Sequence, residues 1–184
     1  EWLSLESEAG QEYQTAMHLM GAYARANHDL IHDHFVEASG LAARRRFWNR
    51  HNYAWLDEET GAVIHRKGAT PAAHEQIGII PGSSGTASYL VRGLGNEESL
   101  RSSAHGAGRW FSRREAKRRY NERAFLDHMA RNDILHFGLE ADETFMAYKD
   151  IEMVIGLQEG VLIEPLARLT PKVVLMGGRS DDGD

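Results

Sequence analysis

The chain is organised around one stretch, Ser102-Ser103-Ala104-His105-Gly106-Ala107-Gly108-Arg109-Trp110-Phe111-Ser112-Arg113. Within it a histidine precedes two glycines that flank one small residue, and an arginine then opens a basic, helix-like segment. Because glycine has no side chain, Gly106 and Gly108 allow backbone N–H groups to approach a bound anion closely. The pattern predicts that His105 faces a phosphate-sized site. The alternative is a tight turn before a helix, with an incidental histidine.

The composition is that of an ordinary globular protein, and it excludes some kinds of binding site. A chain of 184 residues can form one domain with a real core. The absence of cysteine excludes disulfides and thiolate metal sites. No apolar run reaches membrane-spanning length and no signal peptide is evident, so we expect no membrane partner and a cytoplasmic location. With a net charge of −6, RNA binding would require a local basic patch.

The patterning predicts a single α+β domain. Apolar residues at three-to-four spacing predict a long helix over residues 7–38, and Ser112 followed by Glu115 predicts the start of an arginine-rich helix over 112–132. Between and after them, short segments predict mostly antiparallel strands that form a core sheet flanked by both helices. The predicted domain covers residues 1–178, and residues 179–184 are expected to be a disordered acidic tail.

Histidines and cations cluster around a predicted hairpin over residues 51–69. His51 and His65 are expected near its open end, where two imidazoles could bind a transition metal. Two cations, Arg66 and Lys67, precede the flexible Gly68, which suits a polyphosphate or RNA phosphate. His28 and His32, spaced i and i+4 on the long helix, could also share a metal, but we favour polar-face histidines.

Two further features suit nucleotide or RNA chemistry. The predicted strand 77–80 leads into Pro81-Gly82-Ser83-Ser84-Gly85-Thr86, a loop of glycines and hydroxyls suited to a phosphate or ribose; it is not a Walker motif. Between Leu41 and Arg50, two aromatic residues lie among four arginines over residues 44–50. Contact with RNA and a solvated helix end are equally supported for this segment. Basic residues crowd residues 113–123, where phosphate contact is favoured over a solvated helix face.

Several of these segments, in this order, resemble the RtcB family of RNA-splicing ligases. They are His51-Asn52-Tyr53, His65-Arg66-Lys67-Gly68-Ala69-Thr70-Pro71-Ala72, the run Pro81 to Tyr89, the His105 stretch, Asp142-Glu143, and Ala147-Tyr148-Lys149-Asp150-Ile151. The resemblance covers essentially the whole chain, but only the C-terminal part of the family's catalytic domain.

The resemblance implies a role for each matching residue. His105 would be the catalytic nucleophile, and His51 a manganese ligand that also lies at the nucleotide. The other implied nucleotide-binding residues are Asn52, Pro81, Gly82, Ser83, Ser84, Ser88, Gly106, Ala107, Gly108 and Tyr148. Lys67, Arg109 and Arg113 would contact RNA, whereas His65 receives no role.

The implied activity is a GTP- and Mn²⁺-dependent RNA ligase that acts through a covalent histidine–GMP intermediate. It would join RNA 2′,3′-cyclic phosphate or 3′-phosphate ends to 5′-hydroxyl ends, in tRNA splicing or RNA repair. Implied partners are tRNA halves or broken RNA ends, GTP, and an archease-like activating protein. Two alternatives stay open: a degenerate relative that binds RNA ends or nucleotide without ligating, and a metal-dependent phosphate hydrolase.

The sequence departs from the family's pattern in three places. Ser84 stands where the family usually has methionine, a change expected to alter packing more than chemistry. Gly177 and Gly178 stand where the family ends in Lys-Gly, so the nucleotide-contacting lysine is absent; Lys172 is not expected to replace it. The family's metal site also uses an upstream aspartate, a cysteine and two further histidines, so His51 alone would represent it here.

Overall fold

A computed structural model describes residues 2–58, 60–138 and 143–176, and only the backbone of Glu122. The chain divides into two compact units, Glu1–Arg46 and Phe47–Asp184. Within the described residues, no helix is both long enough and apolar enough to span a membrane. Residues 177 and 178 and the predicted tail lie outside the described residues.

The first unit contains the long helix α1, Glu8–Ser39. Its N-terminus is capped by Ser7, whose hydroxyl accepts a hydrogen bond from the backbone N–H of Gly10 at 3.1 Å. Its C-terminus is closed by Gly40 in the left-handed conformation, and the Gly40 N–H donates to the Glu37 carbonyl. The helix predicted over residues 7–38 is therefore confirmed.

The second unit contains the strands and the remaining helices. The strands are Asn52–Leu56 (β1), Val63–Lys67 (β2), Ala69–Pro71 (β3), Ile77–Ile80 (β4), Ser88–Gly93 (β5), Ser102–Ala104 (β6), Leu135–Phe137 (β7), Ile163–Leu169 (β8) and Val173–Leu175 (β9). The α-helices are Arg113–Arg119 (α2), Glu122–Arg131 (α3) and Ile151–Gly156 (α4), and a 3₁₀ turn covers Phe145–Ala147.

These strands form four small sheets rather than one. Three are antiparallel, with strand orders β1-β2, β3-β6 and β4-β5-β8, and the fourth is the parallel pair β7-β9. The predicted α+β class, with a long N-terminal helix and mostly antiparallel strands, is confirmed.

The main core lies at the three-stranded sheet and helix α4. Ile80, Val91 and Ile163 are almost fully buried and cluster with Ile151 and Ile155 of α4. Burying one such side chain contributes about 2 kcal/mol. In β5 the burial alternates along the strand, as expected when one face of a strand packs on a core.

The predicted arginine-rich helix over residues 112–132 is two helices. The backbone of Tyr120 is extended and ends α2, and the side chain of Asn121 accepts from the Arg123 N–H to begin α3. Phe125 and Met129 of α3 then pack with Ile134 in a second apolar cluster. Because the helix is interrupted at Tyr120, α3 packs in a small apolar cluster separate from the main core.

The loop between β4 and β5 is closed too tightly to admit a side chain at Gly82. A Cβ atom built there would lie 2.1 Å from the Ala87 carbonyl oxygen and 2.5 Å from the Thr86 hydroxyl oxygen. At Gly156, the last residue of α4, a Cβ atom would meet nothing within 4 Å.

Substituting Gly82→Ala should therefore lower the free energy of unfolding by about 2 kcal/mol, because the new methyl group displaces backbone. Gly156→Ala is the matched control and should raise stability by up to about 1 kcal/mol, since alanine is favoured in a helix. Urea unfolding followed by circular dichroism measures both. Equal stability of the two variants would contradict the packing argument.

Candidate functional site

Two antiparallel strand pairs bring His51 and His105 together. His51 precedes β1, and Asn52 pairs with Lys67 at the end of β2. In the second pair, Ala69 of β3 lies opposite Ala104 of β6, so Gly68 and His105 are neighbours at one end of that pair. Gly68, with a φ of 75°, turns the chain between β2 and β3, and its N–H donates to the His51 carbonyl at 3.1 Å.

The two imidazole rings stack. Their centroids are 5.0 Å apart and their planes differ by 19°. Partial burial, and then the nearby His105 and Lys67, lower the pKa of His51 below its ordinary value of 6.5. Residue 51 is still solvent-exposed, so the lowering is limited. His51 is consequently neutral at pH 7, the form in which imidazole binds a metal.

The hairpin places the neighbouring residues differently from the prediction. His65 pairs with Ala54 in the middle of β1-β2, so the prediction that it lies at the open end was wrong. Arg66 is buried, where it donates to the Ser102 hydroxyl at 2.8 Å and the Leu100 carbonyl at 2.9 Å. Because these acceptors occupy its guanidinium, only Lys67 of the two predicted phosphate contacts is exposed.

The His105 stretch is joined to the glycine–serine loop. The Ala107 N–H donates to the Pro81 carbonyl at 3.0 Å, and a Cβ atom at Gly106 would lie 3.1 Å from that carbonyl oxygen. Gly106 thus allows the backbone to approach Pro81, and the Ala107 N–H, one of the groups expected to face an anion, is used within the protein.

Thr86 holds the loop closed from inside. Its hydroxyl oxygen accepts from the Ser83 N–H at 2.7 Å and lies 2.9 Å from the Ser83 hydroxyl. A cleft of about 440 Å³ opens beside the loop, lined by Ser83, Ser84, Thr86 and Ser88 and, from elsewhere, by Ile79, Glu143, Leu169, Thr170, Pro171, Val173, Val174 and Met176. Lys172 is not among the lining residues, and its ammonium pairs with Asp133 at 3.6 Å.

A charged cluster forms where the His105 stretch meets Tyr148. Residues Arg109 and Tyr148 form an antiparallel bridge, and the Arg109 guanidinium lies 4.7 Å from the Tyr148 ring centroid. The same guanidinium donates to the Tyr148 hydroxyl oxygen at 3.0 Å, and that hydroxyl donates to the Glu143 carboxylate. Burial, and then the hydrogen bond to Glu143, raise the pKa of Tyr148.

Glu143 is the site residue that sequence reasoning missed. Its carboxylate lies 3.0 Å from Arg113 and 3.7 Å from Arg109, and its backbone carbonyl accepts from the Ser84 hydroxyl at 2.7 Å. The sequence marked it only as half of the Asp142-Glu143 signature, and Asp142 lies outside the described residues. A methionine at position 84 could not donate this hydrogen bond. The expectation that Ser84 changes packing more than chemistry stays a prediction.

The basic segments are partly neutralised by acidic neighbours. On α2, Glu115 pairs with Arg118 at 2.7 Å and with Arg119 at 2.5 Å, and these contacts lower the pKa of Glu115. In residues 44–50, which carry no helix, Arg46 pairs with Asp33 at 2.6 Å. These ion pairs reduce the net positive charge of both segments, and their contact with RNA or nucleotide phosphate stays a prediction.

The residues that the structure describes do not by themselves form a manganese centre. Across residues 2–58, 60–138 and 143–176, no group of three or more His, Cys, Asp or Glu side chains is placed to hold a metal ion. His51 and His105 offer two imidazoles, whereas manganese also prefers carboxylate oxygens. On α1, the His28 and His32 rings contact each other edge to face, with centroids 4.5 Å apart.

Comparison of the sequence with known proteins identifies the family. The model of the family described as tRNA-splicing ligase RtcB matches residues 1–177. The chain belongs to the RtcB family. It is 42% identical over 129 residues to the RNA-splicing ligase RtcB of Escherichia coli K12, covering 69% of this chain and 31% of that protein.

Longer alignments extend the RtcB similarity along the chain. The RNA-splicing ligase RtcB of Mycobacterium tuberculosis is 33% identical over 195 residues, covering 91% of this chain and 45% of that protein. The tRNA-splicing ligase RtcB of Thermococcus kodakarensis is 32% identical over 213 residues, covering 94% and 43%. The chain thus spans less than half the length of these relatives.

The lowered pKa of His51 can be measured directly. An NMR titration of its ring, assigned with His51→Asn, should give a midpoint below 6.5. His105→Asn should move the midpoint part of the way back, because His105 is a smaller cause than burial. Since the unfolded chain then binds more protons, His51 should lower stability as the pH falls below 6.5. A midpoint at or above 6.5 would contradict the conclusion that burial, His105 and Lys67 lower the pKa of His51.

Proposed function

We propose that the protein is the catalytic portion of a GTP- and Mn²⁺-dependent RNA ligase that joins RNA 3′-phosphate or 2′,3′-cyclic phosphate ends to 5′-hydroxyl ends. The observation that carries the proposal is the stacking of His105 on a neutral His51 beside Lys67. His105 is thereby placed against a neutral imidazole with a cation close by, which suits nucleophilic attack by His105 on a phosphate. Family membership and the names of the relatives support RNA as the substrate.

The proposed first step is guanylylation of His105. A deprotonated ring nitrogen attacks the α-phosphorus of GTP, forming a nitrogen–phosphorus bond and releasing pyrophosphate. The GMP group then passes to the RNA 3′-phosphate, which arises by hydrolysis where the end is cyclic. Finally, the 5′-hydroxyl oxygen attacks the activated phosphate, GMP leaves, and the hydroxyl proton is lost to solvent or a base.

The surrounding residues suit the nucleotide and the RNA ends in different ways. The Pro81–Ser88 loop lines a cleft with hydroxyl groups that can hold phosphate or ribose, and Tyr148 is held close to the His105 stretch. Lys67, Arg109 and Arg113 supply cations for RNA phosphates. Asn52, which pairs with Lys67 in β1-β2, is proposed to contact the nucleotide.

Mn²⁺ is proposed as the metal, with His51 as one of its ligands. The described residues do not complete its coordination, so the remaining ligands must come from outside them. Accordingly, the steps above use only the chain's own groups. An archease-like activator and a cytoplasmic location also stay predictions.

The nucleophile is tested by intact-mass spectrometry of the full-length protein after incubation with GTP and Mn²⁺. We expect an acid-labile adduct with the mass of GMP, absent in His105→Ala and when Mn²⁺ is withheld. His65→Ala is the matched control, since its ring lies in the middle of the hairpin, and it should keep the adduct.

The alternatives give different results in the same assay. A protein that binds GTP or RNA ends but forms no adduct would be a binding relative rather than a ligase. Mn²⁺-dependent loss of an RNA cyclic phosphate without GTP would indicate a phosphate hydrolase. Either result from the wild-type protein would refute the ligase proposal.

Lys67→Gln should weaken RNA binding and reduce its salt dependence, because one fewer phosphate contact releases fewer counterions. The slope of log Kd against log salt should fall by about 1, with a similar loss for every RNA sequence. Lys172→Gln removes the same charge from a position paired with Asp133 and should leave the slope unchanged. Fluorescence anisotropy with 5′-hydroxyl RNA measures both, and equal slopes would exclude Lys67 from the RNA contact.

A further inference from the structure

We propose that Glu143 is a positioning residue, which together with Arg109 holds Tyr148 in the geometry needed to bind the nucleotide. The inference rests on the proposed function, which assigns no role to Glu143. The Glu143 side chain is only 14% exposed. A carboxylate this buried needs compensating charge and hydrogen bonds.

Three side chains supply that compensation from two directions. Arg109 and Arg113 approach from the His105 stretch and the start of α2, and the Tyr148 hydroxyl donates from beyond the 3₁₀ turn. The carboxylate therefore balances two cations and accepts from one phenol. Removing its charge would take away the carboxylate that both guanidinium groups share and weaken the attraction that holds them together.

The contact also determines how Tyr148 can meet a ligand. Its only hydroxyl hydrogen is used on Glu143, and one oxygen lone pair is used by Arg109. One acceptor position is left. Toward a nucleotide, Tyr148 is thus set to accept a hydrogen bond from a ribose hydroxyl or a base N–H.

Glu143 further connects this cluster to the loop that lines the cleft. Its backbone carbonyl accepts from Ser84, and its side chain is itself part of the cleft wall. A single residue hence joins the Pro81–Ser88 loop, the His105 stretch and Tyr148. These are the three segments proposed to surround the nucleotide.

The chain contains a matched network that serves as a control. Tyr89 donates to the Glu152 carboxylate, and Arg168 donates to the same carboxylate at 3.1 Å. As at Glu143, a tyrosine hydroxyl and an arginine share one carboxylate, and here the hydrogen bonds from Tyr89 and then Arg168 lower the pKa of Glu152. No residue of this second network has been assigned to the site.

The experiment measures guanylylation rate against GTP concentration in the full-length protein. Glu143→Gln keeps the shape and the backbone bond to Ser84 but removes the charge. We expect the KM for GTP to rise about tenfold, the effect of losing a charged hydrogen bond. The kcat should change by less than about twofold, because the affected contact is made equally in ground and transition states.

A double-mutant cycle separates positioning from general destabilisation. If Glu143 acts through Tyr148, Glu143→Gln and Tyr148→Phe combined should raise KM little more than either alone. Glu152→Gln should leave the wild-type KM unchanged and should not alter the KM of Tyr148→Phe, even where urea unfolding shows a similar loss of stability. Glu143→Asp keeps the charge on a shorter side chain and should raise KM about threefold, which provides a test if the glutamine variant does not fold.

Wild-type KM in the folded Glu143 variants, or effects of Glu143→Gln and Tyr148→Phe that multiply, would overturn the assignment. A lower kcat at unchanged KM would also overturn it. If the wild-type protein neither binds GTP nor forms an adduct, the proposed function fails and the assignment fails with it. The wild-type measurement therefore distinguishes the two failures.

Discussion

The antiparallel pairing of β3 with β6 is the constraint on which the candidate site depends. Each strand has three residues, and their pairing places Gly68 beside His105. Backbone bonds of so short a pair contribute little alone, since each adds about 1 kcal/mol. Burial of Arg66, which donates to Ser102 and to Leu100 just before β6, adds a second connection between the hairpin and the His105 stretch.

The histidines and the arginines of the candidate site have different neighbours. His51 lies beside Lys67 and His105 and is kept neutral, whereas Arg109 and Arg113 are compensated by Glu143. A neutral ring is required for attack on phosphorus or for binding a metal. Compensated arginines, in turn, are held in fixed positions before a phosphate arrives, which reduces the cost of ordering them on binding.

The chain represents only part of an RtcB protein, and its described residues likewise form only part of the site that the RtcB resemblance predicts. The chain spans 31% of the Escherichia coli relative and 45% of the Mycobacterium tuberculosis relative. Its described residues form a pair of stacked histidines, a cleft lined on one side by Ser83, Ser84, Thr86 and Ser88, and a cluster of cations, but no metal centre. The Ser84 hydroxyl connects the cleft to Glu143 through a hydrogen bond to its backbone carbonyl.

Local signals in the sequence determined the elements. Ser7 and Gly40 end α1 because capping depends on neighbouring residues, and the ordered motifs predicted the RtcB family and its nucleophile. Only the tertiary structure decided which strand ends meet. Pairing of β3 with β6 joins residues 69 and 104, and Glu143 contacts Ser84 across 59 positions. Such contacts depend on packing between distant segments, which neither periodicity nor capping encodes.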